Sequence, residues 1–371
     1  MDFDFSDDQE QLRDAVRKWV DKGYTFERRR SAVAAGGFGR TAWNERAELG
    51  LTALTVPEAH DGMGQGPIDA MVVAEELGRG IVLEPIAQAF MASAVLSHYA
   101  AAAVQSAWLP RVASGEALVV LAQQERKARY RLDICEAKAA PAQSGYAVTA
   151  IKSIVSAGDQ ADAFIVPAQL DGQIALFLVE RAAAGVITRG YVTQDGSRAA
   201  EVQLVNAPAT LITTDGLAAL ELAVDTGIAA TCAEAVGVMD KTVAITVEYM
   251  NQRKQFGVFI ASFQALRHRV ADMKMQLELA RSMSYYASLK LGAPAPERRA
   301  AMARAKVQLG QSMRFVGQQA VQLHGGIGVT DEYIVSHYFK KLTQLEVAFG
   351  DTLHHLGEVS ARMQDTAGVF A

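Results

Sequence analysis

The sequence predicts three successive domains: a helical N-terminal domain, a middle antiparallel β domain and a C-terminal four-helix bundle. In residues 1–115, and again in residues 217–371, apolar residues recur every three or four positions, which is the period of an amphipathic helix. In residues 118–212, short apolar segments are separated by turn residues, with no helical pattern between them. Short strands in direct succession are typical of an antiparallel sheet.

The N-terminal domain is predicted from helix-start signals and helical spacing. Ser6 and Gln9 form the pattern of a capping box, which marks the beginning of a first helix. A later helix is expected to end before Gly50, because glycine readily adopts the left-handed conformation that follows a helix. That helix is expected at residues 41–49, and further helices are expected at residues 68–79 and, as an alanine-rich packing pair, within 85–114.

Strand and helix patterns define the other two domains. The strands of the middle domain are expected at residues 118–121, 146–150, 163–167, 174–179 and 201–204. The long helices of the C-terminal domain are expected at residues 217–251, 261–292, 297–323 and 333–364. Four long helices with short connections predict a four-helix bundle.

Composition excludes several classes of function. Half of the residues are hydrophobic, 21% are charged and the net charge is −5, so we expect an ordinary globular protein with no nucleic-acid partner. Cys135 and Cys232 lie far apart and lack the spacing of metal ligands, which argues against a disulfide framework or a metal site.

The N-terminus and the hydropathy pattern bear on the compartment. The segment of residues 1–5 is acidic because it contains Asp2 and Asp4, unlike the basic start of a secretory signal peptide. No apolar run is expected to reach the ~18–20 residues of a membrane-spanning helix. The sequence therefore predicts a cytoplasmic protein with no membrane partner.

Two segments of the C-terminal domain carry residue types that suit a flavin dinucleotide. In residues 253–257, Arg253 offers a fixed cation to a pyrophosphate. In residues 322–328, Gln322 can donate and accept hydrogen bonds, and the paired glycines Gly325 and Gly326 let the backbone approach a ligand. Either segment alone is common at a helix end, whereas the two together are more specific.

These two segments, in this order, resemble the C-terminal half of the acyl-CoA dehydrogenase family. The order of the three predicted domains is also similar to that family's fold, so the resemblance covers nearly the whole chain. The pattern is most similar to the small-subunit type of pimeloyl-CoA dehydrogenase and to bacterial steroid side-chain dehydrogenases, which often work as heteromeric pairs. The segments that carry this further resemblance are residues 47–54, 57–62, 75–79 and 83–85.

The resemblance implies a cofactor, a reaction and partners. The cofactor is FAD and the substrate is an acyl-CoA thioester. A carboxylate removes the α-proton, the β-hydrogen leaves as hydride to the flavin, and the product is the 2-enoyl-CoA. The electrons then pass to an electron-transfer flavoprotein. The expected assembly is a homotetramer, or a heterotetramer with a related subunit.

Individual residues match the family unevenly. In the family, the cofactor-binding groups of the C-terminal domain reach across a subunit interface to a neighbour's FAD. The matching residues here are Arg253, Phe256, Gln264, Gln322, Gly325 and Gly326. Ser156 keeps a hydroxyl that suits a bond near flavin N5, although a strand-end hydroxyl is the alternative. Thr352 matches a Thr that touches FAD, or it caps a helix.

The middle domain departs from the family pattern. The Thr-Glu-Pro and Gly-Ser-Asp loop that wraps the flavin is absent from residues 122–129. The Trp of the following Lys-x-Trp-x-Thr pattern is Ile154. Glu125, within the altered loop, is expected to be a surface charge, with a place in the cleft as the alternative.

The catalytic base is also missing from its usual place. The common Tyr-Glu-Gly-Thr segment reads Phe-Gly-Asp-Thr, so that Gly350 holds the Glu position and Asp351 follows it. A displacement of ~1 Å can cost about a hundredfold in rate, so Asp351 is either a displaced base or a helix cap. The alternative base position, on the first bundle helix, falls at Gly227, and the nearby Asp225 lies roughly 200° away around that helix. We expect His354 and His355 to be solvated or packing residues.

Three hypotheses follow from this pattern. The chain is an active acyl-CoA dehydrogenase with Asp351 as its base, or a base-deficient subunit that completes the FAD site of a partner. The third hypothesis is a non-catalytic acyl-CoA binder or scaffold. Arg253 and Gln322 argue against the third, because a scaffold does not need them.

Overall fold

The computed structural model describes residues 5–143 and 145–366. The helices in this part of the chain are α1 (Asp7–Gly23), α2 (Phe26–Ala34), α3 (Arg40–Glu48), α4 (Pro67–Arg79), α5 (Ile86–Tyr99), α6 (Ala102–Ala113), α7 (Gly216–Gln252), α8 (Gln264–Lys290), α9 (Ala295–His324), α10 (Ile334–Val347) and α11 (Thr352–Thr366). The predicted capping box of α1 is confirmed, since Ser6 Oγ accepts from Gln9 N and Gln9 Oε1 accepts from Ser6 N, both at 3.2 Å. Helix α2 was not predicted, because its apolar residues show little periodicity.

The strands of the middle domain close on themselves. They are β1 (Val119–Leu121), β2 (Lys138–Pro141), β3 (Tyr146–Ser156), β4 (Ala163–Leu170), β5 (Gln173–Glu180), β6 (Val186–Val192) and β7 (Arg198–Thr213). Successive pairings β4–β2–β3–β7–β5 return to β4, as in a small barrel, and β1 and β6 are added at its edges. The sequence missed β2 and β6, because neither strand contains a buried residue and neither shows an apolar run.

The expectation of a purely antiparallel sheet is wrong at strand β4. This strand pairs in parallel with β1 and, at one residue pair, with β2, whereas the other pairings of the sheet are antiparallel. Parallel neighbours need a long connection, and the chain between β1 and β4 supplies one because it contains β2 and β3.

The predicted helical C-terminal domain is confirmed, but its expected fourth helix is two helices. The break between α10 and α11 covers residues 348–351. Phe349 and Gly350 have φ angles of 56° and 115°, which an α-helix cannot accommodate. Helix α9 packs against α8, α10 and α11. A further missed feature is the hairpin of β8 (Lys254–Gln255) and β9 (Val258–Phe259) that follows α7.

Helix α7 corrects the expectation about membrane-length segments. Within the described residues it is long and apolar enough to cross a membrane by length and composition, with a mean hydropathy of 1.4 over its most apolar window. However, 89% of that window is buried inside the protein. The core helix of a soluble protein passes the same test, so this is weak evidence for a membrane span.

The chain forms two compact units. The first contains Met1–Phe26, Met71–Val82 and Ile228–Ala371, and the second contains Glu27–Ala70 and Leu83–Gly227. The two candidate flavin segments lie in the first unit, and the β domain lies in the second. The predicted domain boundaries fall between α6 and β1 and between β7 and α7, and as domain boundaries they stay predictions.

Candidate functional site

The hairpin after α7 presents the first candidate segment. Arg253 N donates to Tyr249 O (2.8 Å), and Ile260 N donates to Arg253 O (2.9 Å), so both ends of the hairpin are anchored. Phe256 and Gly257 form its turn, with φ angles of 53° and 80°. Two consecutive left-handed residues are typical of a tight hairpin turn, which is why glycine is favoured at the second of them.

The candidate binding side chains of this hairpin, and of the start of α8 that follows it, are exposed. Phe256 is 89% exposed, and Arg253 and Gln264 are also exposed. Among the described residues, no carboxylate lies within 4.0 Å of the Arg253 guanidinium, and the Gln264 amide has no hydrogen-bond partner. The structure therefore leaves a cation, an amide and an aromatic ring available for a ligand or a neighbouring chain.

The end of α9 presents the second segment. Gly325 has φ +65°, and a Cβ atom built on Gly325 or Gly326 would meet no atom within 4 Å. A Cβ on Gly328 would instead lie 2.7 Å from the Val321 carbonyl oxygen. Gly325 and Gly326 are thus open to a ligand, whereas Gly328 is a packing glycine. Gln322, on the last turn of α9, is exposed.

Three aromatic residues bring the two segments to the same end of the first unit. Tyr249 lies one turn before Arg253, and its ring stacks on His324, which directly precedes Gly325, at a centroid distance of 4.4 Å. The ring of Tyr333, at the start of α10, lies with its centroid 5.3 Å from that of His324 and 6.1 Å from that of Tyr249. No signal in the sequence indicates that these three residues meet.

The donors at this end of the first unit fit FAD. An exposed guanidinium suits the pyrophosphate, the Gln322 and Gln264 amides suit polar groups of a nucleotide, and the backbone at Gly325 and Gly326 is free of side chains. These residues would hold the cofactor by charge and hydrogen bonding. Their individual roles, and that of Phe256, stay predictions.

The position of the family's base lies in the elbow between α10 and α11, at residues 348–351. Asp351 Oδ1 accepts from His354 N (2.8 Å), so Asp351 is the N-cap of α11. A Cβ atom built on Gly350 would lie 2.6 Å from both His354 Cδ2 and His355 Nε2. Two imidazole rings therefore occupy the space that a side chain at residue 350 would need.

Buried polar contacts fix this elbow. Lys306, fully buried on α9, donates to the carbonyl oxygens of Leu345 (2.9 Å), Glu346 (3.0 Å) and Ala348 (2.8 Å). Burial lowers the pKa of Lys306 to about 8. Glu346 Oε1 accepts from Thr352 N (3.0 Å) and from the Thr352 hydroxyl (2.6 Å). The Thr352 hydroxyl proton is thus committed to Glu346, and a contact of Thr352 with FAD stays a prediction.

His355 is a packing residue. Its Nε2 N–H donates to Phe349 O (3.1 Å), and burial lowers the pKa of its imidazole to about 3. Burial also lowers the pKa of His354. Of the two expected alternatives, packing rather than solvation describes His355.

The expectation that Glu125 is a surface charge is wrong. Glu125 is 3% exposed and accepts from the buried Lys152 Nζ at 2.6 Å. The backbone N–H groups of Glu136 and Ala137 also donate to it. Burial opposes ionisation of Glu125, but the charge and hydrogen bond of Lys152 outweigh it and lower the carboxyl pKa. The signal that could have indicated a buried partner for Glu125 is Lys152, which lies on the inward face of β3.

Ile154 and Ser156 lie near the end of β3, where the strand is irregular. Ile154 is exposed and has φ 53°, which is strained for a β-branched residue, and the register of β3 shifts between Lys152 and Val155. Ser156 is half-buried, and its contact with a flavin stays a prediction.

Asp225, near the alternative base position, is buried. In the described part of the chain, no group of three or more His, Cys, Asp or Glu residues could hold a metal ion.

Comparisons with known proteins agree with this geometry. Residues 6–116 match the acyl-CoA dehydrogenase N-terminal domain, and residues 214–364 match the acyl-CoA dehydrogenase C-terminal domain. The acyl-CoA dehydrogenase IpdE2 of Mycobacterium tuberculosis is 30% identical over 90% of this chain and 91% of its own length. The chain belongs to the acyl-CoA dehydrogenase family. It is an oxidoreductase of the class that acts on CH–CH bonds, and its cofactor is FAD.

Other relatives of this acyl-CoA dehydrogenase cover essentially the whole chain. FadE27 of M. tuberculosis is 25% identical over 99% of this chain and all of its own length. A structure described as a variant of the Tcur3481–Tcur3483 steroid ACAD superposes with a TM-score of 0.90 at 26% identity, covering 97% of this chain and 99% of that one. The ChsE4–ChsE5 complex from M. tuberculosis superposes with a TM-score of 0.89, also at 26% identity, covering 99% and 100%.

Proposed function

We propose that this chain is one subunit of a heteromeric acyl-CoA dehydrogenase that converts an acyl-CoA thioester into the 2-enoyl-CoA. In this proposal the chain completes the FAD site of a related subunit, and that related subunit supplies the catalytic base. Bound FAD supplies the hydride acceptor of the reaction. The chain's own contribution is to bind and orient the cofactor.

The elbow at Gly350 carries this proposal. A general base must place a carboxylate within hydrogen-bond reach of the α-proton. Residue 350 has no side chain, and the two His rings leave no room for one without movement. Asp351, one residue later, caps α11 with one of its carboxylate oxygens, a role that orients it toward its own helix.

The exposed groups of the first unit support the cofactor-binding half of the proposal. Arg253 and Gln322 have polar ends without partners in the described residues, and Phe256 stands almost free of the chain. A guanidinium without a partner among the described residues, on the same hairpin as an exposed aromatic ring, is poorly explained in an isolated chain. It is explained if a neighbouring subunit places the pyrophosphate of its FAD against Arg253.

Features of the middle domain support the proposal that this chain lacks a complete flavin site of its own. The loop that wraps the flavin in the family lacks its motif here, and its acidic residue, Glu125, is paired with Lys152 inside the protein. Glu125 is therefore unavailable as a replacement base. The strained Ile154 replaces the family's Trp at the neighbouring position.

The comparisons support the heteromeric assembly and suggest the substrate class. The ChsE4–ChsE5 structure is described as a complex, and the Tcur3481–Tcur3483 structure is described as a steroid ACAD. We therefore propose a bulky, steroid-like acyl group, with a dicarboxylic acyl group as the alternative, in fatty acid or steroid degradation. We also propose an electron-transfer flavoprotein as the electron acceptor and the cytoplasm as the compartment.

The visible absorbance spectrum of the purified chain tests this proposal. We expect little flavin in the chain purified alone, and a flavin band when the chain is co-expressed with a related acyl-CoA dehydrogenase subunit encoded nearby. Full flavin occupancy and turnover by the isolated chain would contradict the heteromeric proposal and favour a homo-oligomer. Binding of CoA thioesters without flavin in either preparation, measured by calorimetric titration, would favour the scaffold instead.

A pair of arginine variants tests the role assigned to Arg253. In the co-expressed complex, Arg253→Met removes the exposed cation and should lower flavin occupancy. Arg304→Met removes another exposed arginine of the same unit, one that contacts the Tyr286 hydroxyl, and should leave occupancy unchanged. Equal flavin content in the two variants would show that Arg253 does not bind the cofactor.

A further inference from the structure

We propose that Tyr249, His324 and Tyr333 form an aromatic joint that sets the position of the Arg253 hairpin relative to the Gly325–Gly326 loop, and thereby determines how tightly FAD is held. This inference rests on the proposed role of those two segments in binding the cofactor. The three residues are positioning residues: Tyr249 and His324 act through the segments to which they are attached, and Tyr333 acts by packing against these two rings.

The geometry of the joint restrains both sliding and rotation. The Tyr249 and His324 rings are stacked, with centroids 4.4 Å apart and planes inclined by 26°. The Tyr249 hydroxyl also donates to the His324 carbonyl oxygen (3.3 Å), so one residue holds both the ring and the backbone of the other. The plane of the Tyr333 ring is inclined by 47° to that of His324 and by 59° to that of Tyr249. Tilted and offset-stacked arrangements are those that aromatic pairs prefer.

Two of the three rings, those of Tyr249 and His324, are attached directly to the candidate binding segments. The Tyr249 carbonyl oxygen accepts from Arg253 N at 2.8 Å, which fixes the residue that carries the cation. His324 is the last residue of α9, and the N–H of the following Gly325 donates back to the carbonyl oxygens of Gln322 and Val321. A shift between the two rings therefore moves Arg253 relative to Gly325. The two segments must be spaced correctly because one dinucleotide contacts both in this proposal.

The protonation state of the His324 imidazole is consistent with a permanent stacking role. Its Nδ1 N–H donates to Ala320 O (2.8 Å), which leaves Nε2 as the unprotonated nitrogen. Nε2 is buried and has no partner in the described part of the chain. Burial lowers the pKa of this imidazole, so the ring that stacks on Tyr249 is neutral. A neutral buried ring packs without the cost of burying a charge.

Two matched tyrosine variants separate positioning from general stability. Tyr249→Phe removes a hydroxyl that donates to the His324 carbonyl, and Tyr338→Phe removes a hydroxyl that donates to the Arg79 carbonyl in the same unit. Tyr249→Leu removes the stacked ring as well. In the complex with the co-expressed subunit, the FAD dissociation constant is measured by flavin titration, and the unfolding midpoint by circular dichroism.

We expect Tyr249→Leu to raise the FAD dissociation constant by about tenfold, which is the effect of a small loss of alignment. Tyr249→Phe, which keeps the ring, should recover most of that affinity. Tyr338→Phe should lower the unfolding midpoint but leave the dissociation constant unchanged.

Wild-type affinity in Tyr249→Leu, or an equal loss of affinity in Tyr338→Phe, would overturn the aromatic joint while leaving the proposed function intact. Absence of FAD from the wild-type complex would overturn the proposed function, and the joint with it.

Discussion

Replacement of Gly350 by alanine is the most direct test of the elbow between α10 and α11. Gly350 has φ +115°, a conformation that L-residues with a side chain rarely adopt. An added Cβ atom would also lie 2.6 Å from His354 Cδ2 and His355 Nε2, closer than real Cβ contacts come. The His355 ring cannot easily move away, because it is buried and bonded to Phe349 O.

The size of the effect follows from these two contributions. Holding a residue with a Cβ atom in a left-handed conformation costs about 1–2 kcal/mol, and overpacking a filled site costs about 1–3 kcal/mol. We therefore expect Gly350→Ala to lower the free energy of unfolding by about 3 kcal/mol, which corresponds to roughly 6–12 °C in the unfolding midpoint. For the same reason Gly350→Glu should not create a working base in the isolated chain.

Gly357 provides a matched control on the same helix. A Cβ atom added at Gly357 meets nothing within 4 Å, and its φ angle is not left-handed. Gly357→Ala should therefore stabilise α11 slightly, by about 0.5–1 kcal/mol. The measurement is thermal unfolding followed by circular dichroism. If Gly350→Ala unfolds at the wild-type temperature, the two His rings do not fill the space beside residue 350, and the position of the family's base is open to a side chain.

Three further predictions concern buried or capping charges. Asp351→Asn should leave the unfolding midpoint unchanged, because Asn caps a helix about as well as Asp, whereas Asp351→Ala should lower the free energy of unfolding by about 1 kcal/mol. Asp351→Asn should also leave the bleaching of flavin by acyl-CoA in the complex unchanged, because the related subunit supplies the base in our proposal. Loss of bleaching in Asp351→Asn at unchanged stability would identify Asp351 as the base. The pKa of Lys306 is about 8 in the folded protein and 10.5 as a reference, so the unfolded chain binds more protons between these pH values. We therefore expect the free energy of unfolding of the wild type, measured in urea relative to Lys306→Met, to rise by on the order of 3 kcal/mol between pH 8 and pH 10.5. A difference between the two proteins that does not change with pH would refute the lowered pKa. Lys152→Met should destabilise the protein by about 3–5 kcal/mol because it leaves Glu125 as an unpaired buried charge, and the double variant Lys152→Met/Glu125→Leu should recover much of that loss in thermal unfolding. An unaffected unfolding midpoint in Lys152→Met would mean that Glu125 is not buried as a charge.

Local sequence signals predicted helix positions well. The Ser6–Gln9 capping box and the terminating Gly50 and Gly325 depend on residues within one turn of each other, and all three have the expected conformations or bonds. The break between α10 and α11 was missed because apolar residues continue through it at helical spacing. Its cause is a left-handed backbone at Phe349 and Gly350, which the Lys306 contacts hold in place from α9.

The candidate binding residues were predicted by type, but their surroundings were not. Arg253 and Gln322 could be singled out because a fixed cation and an amide suit a dinucleotide. The stack of Tyr249 on His324 could not, because an isolated Tyr and an isolated His carry no signal of contact across 75 residues. Glu125 was misplaced for a similar reason, since its burial depends on Lys152, 27 residues away on strand β3.

The sequence by itself determined the order of helical and β segments, the acyl-CoA dehydrogenase family and the absence of a Glu at position 350. These properties depend on residue type and on spacing within a few turns, which the chain carries before it folds. The tertiary structure alone decided that Asp351 caps α11, that Glu125 is buried, and that the space beside Gly350 is filled by two His rings. The burial of Glu125 depends on Lys152 from a distant part of the chain, and the left-handed elbow that contains Gly350 is held by Lys306 from α9. Burial and charge pairing of this kind arise only when the chain is packed.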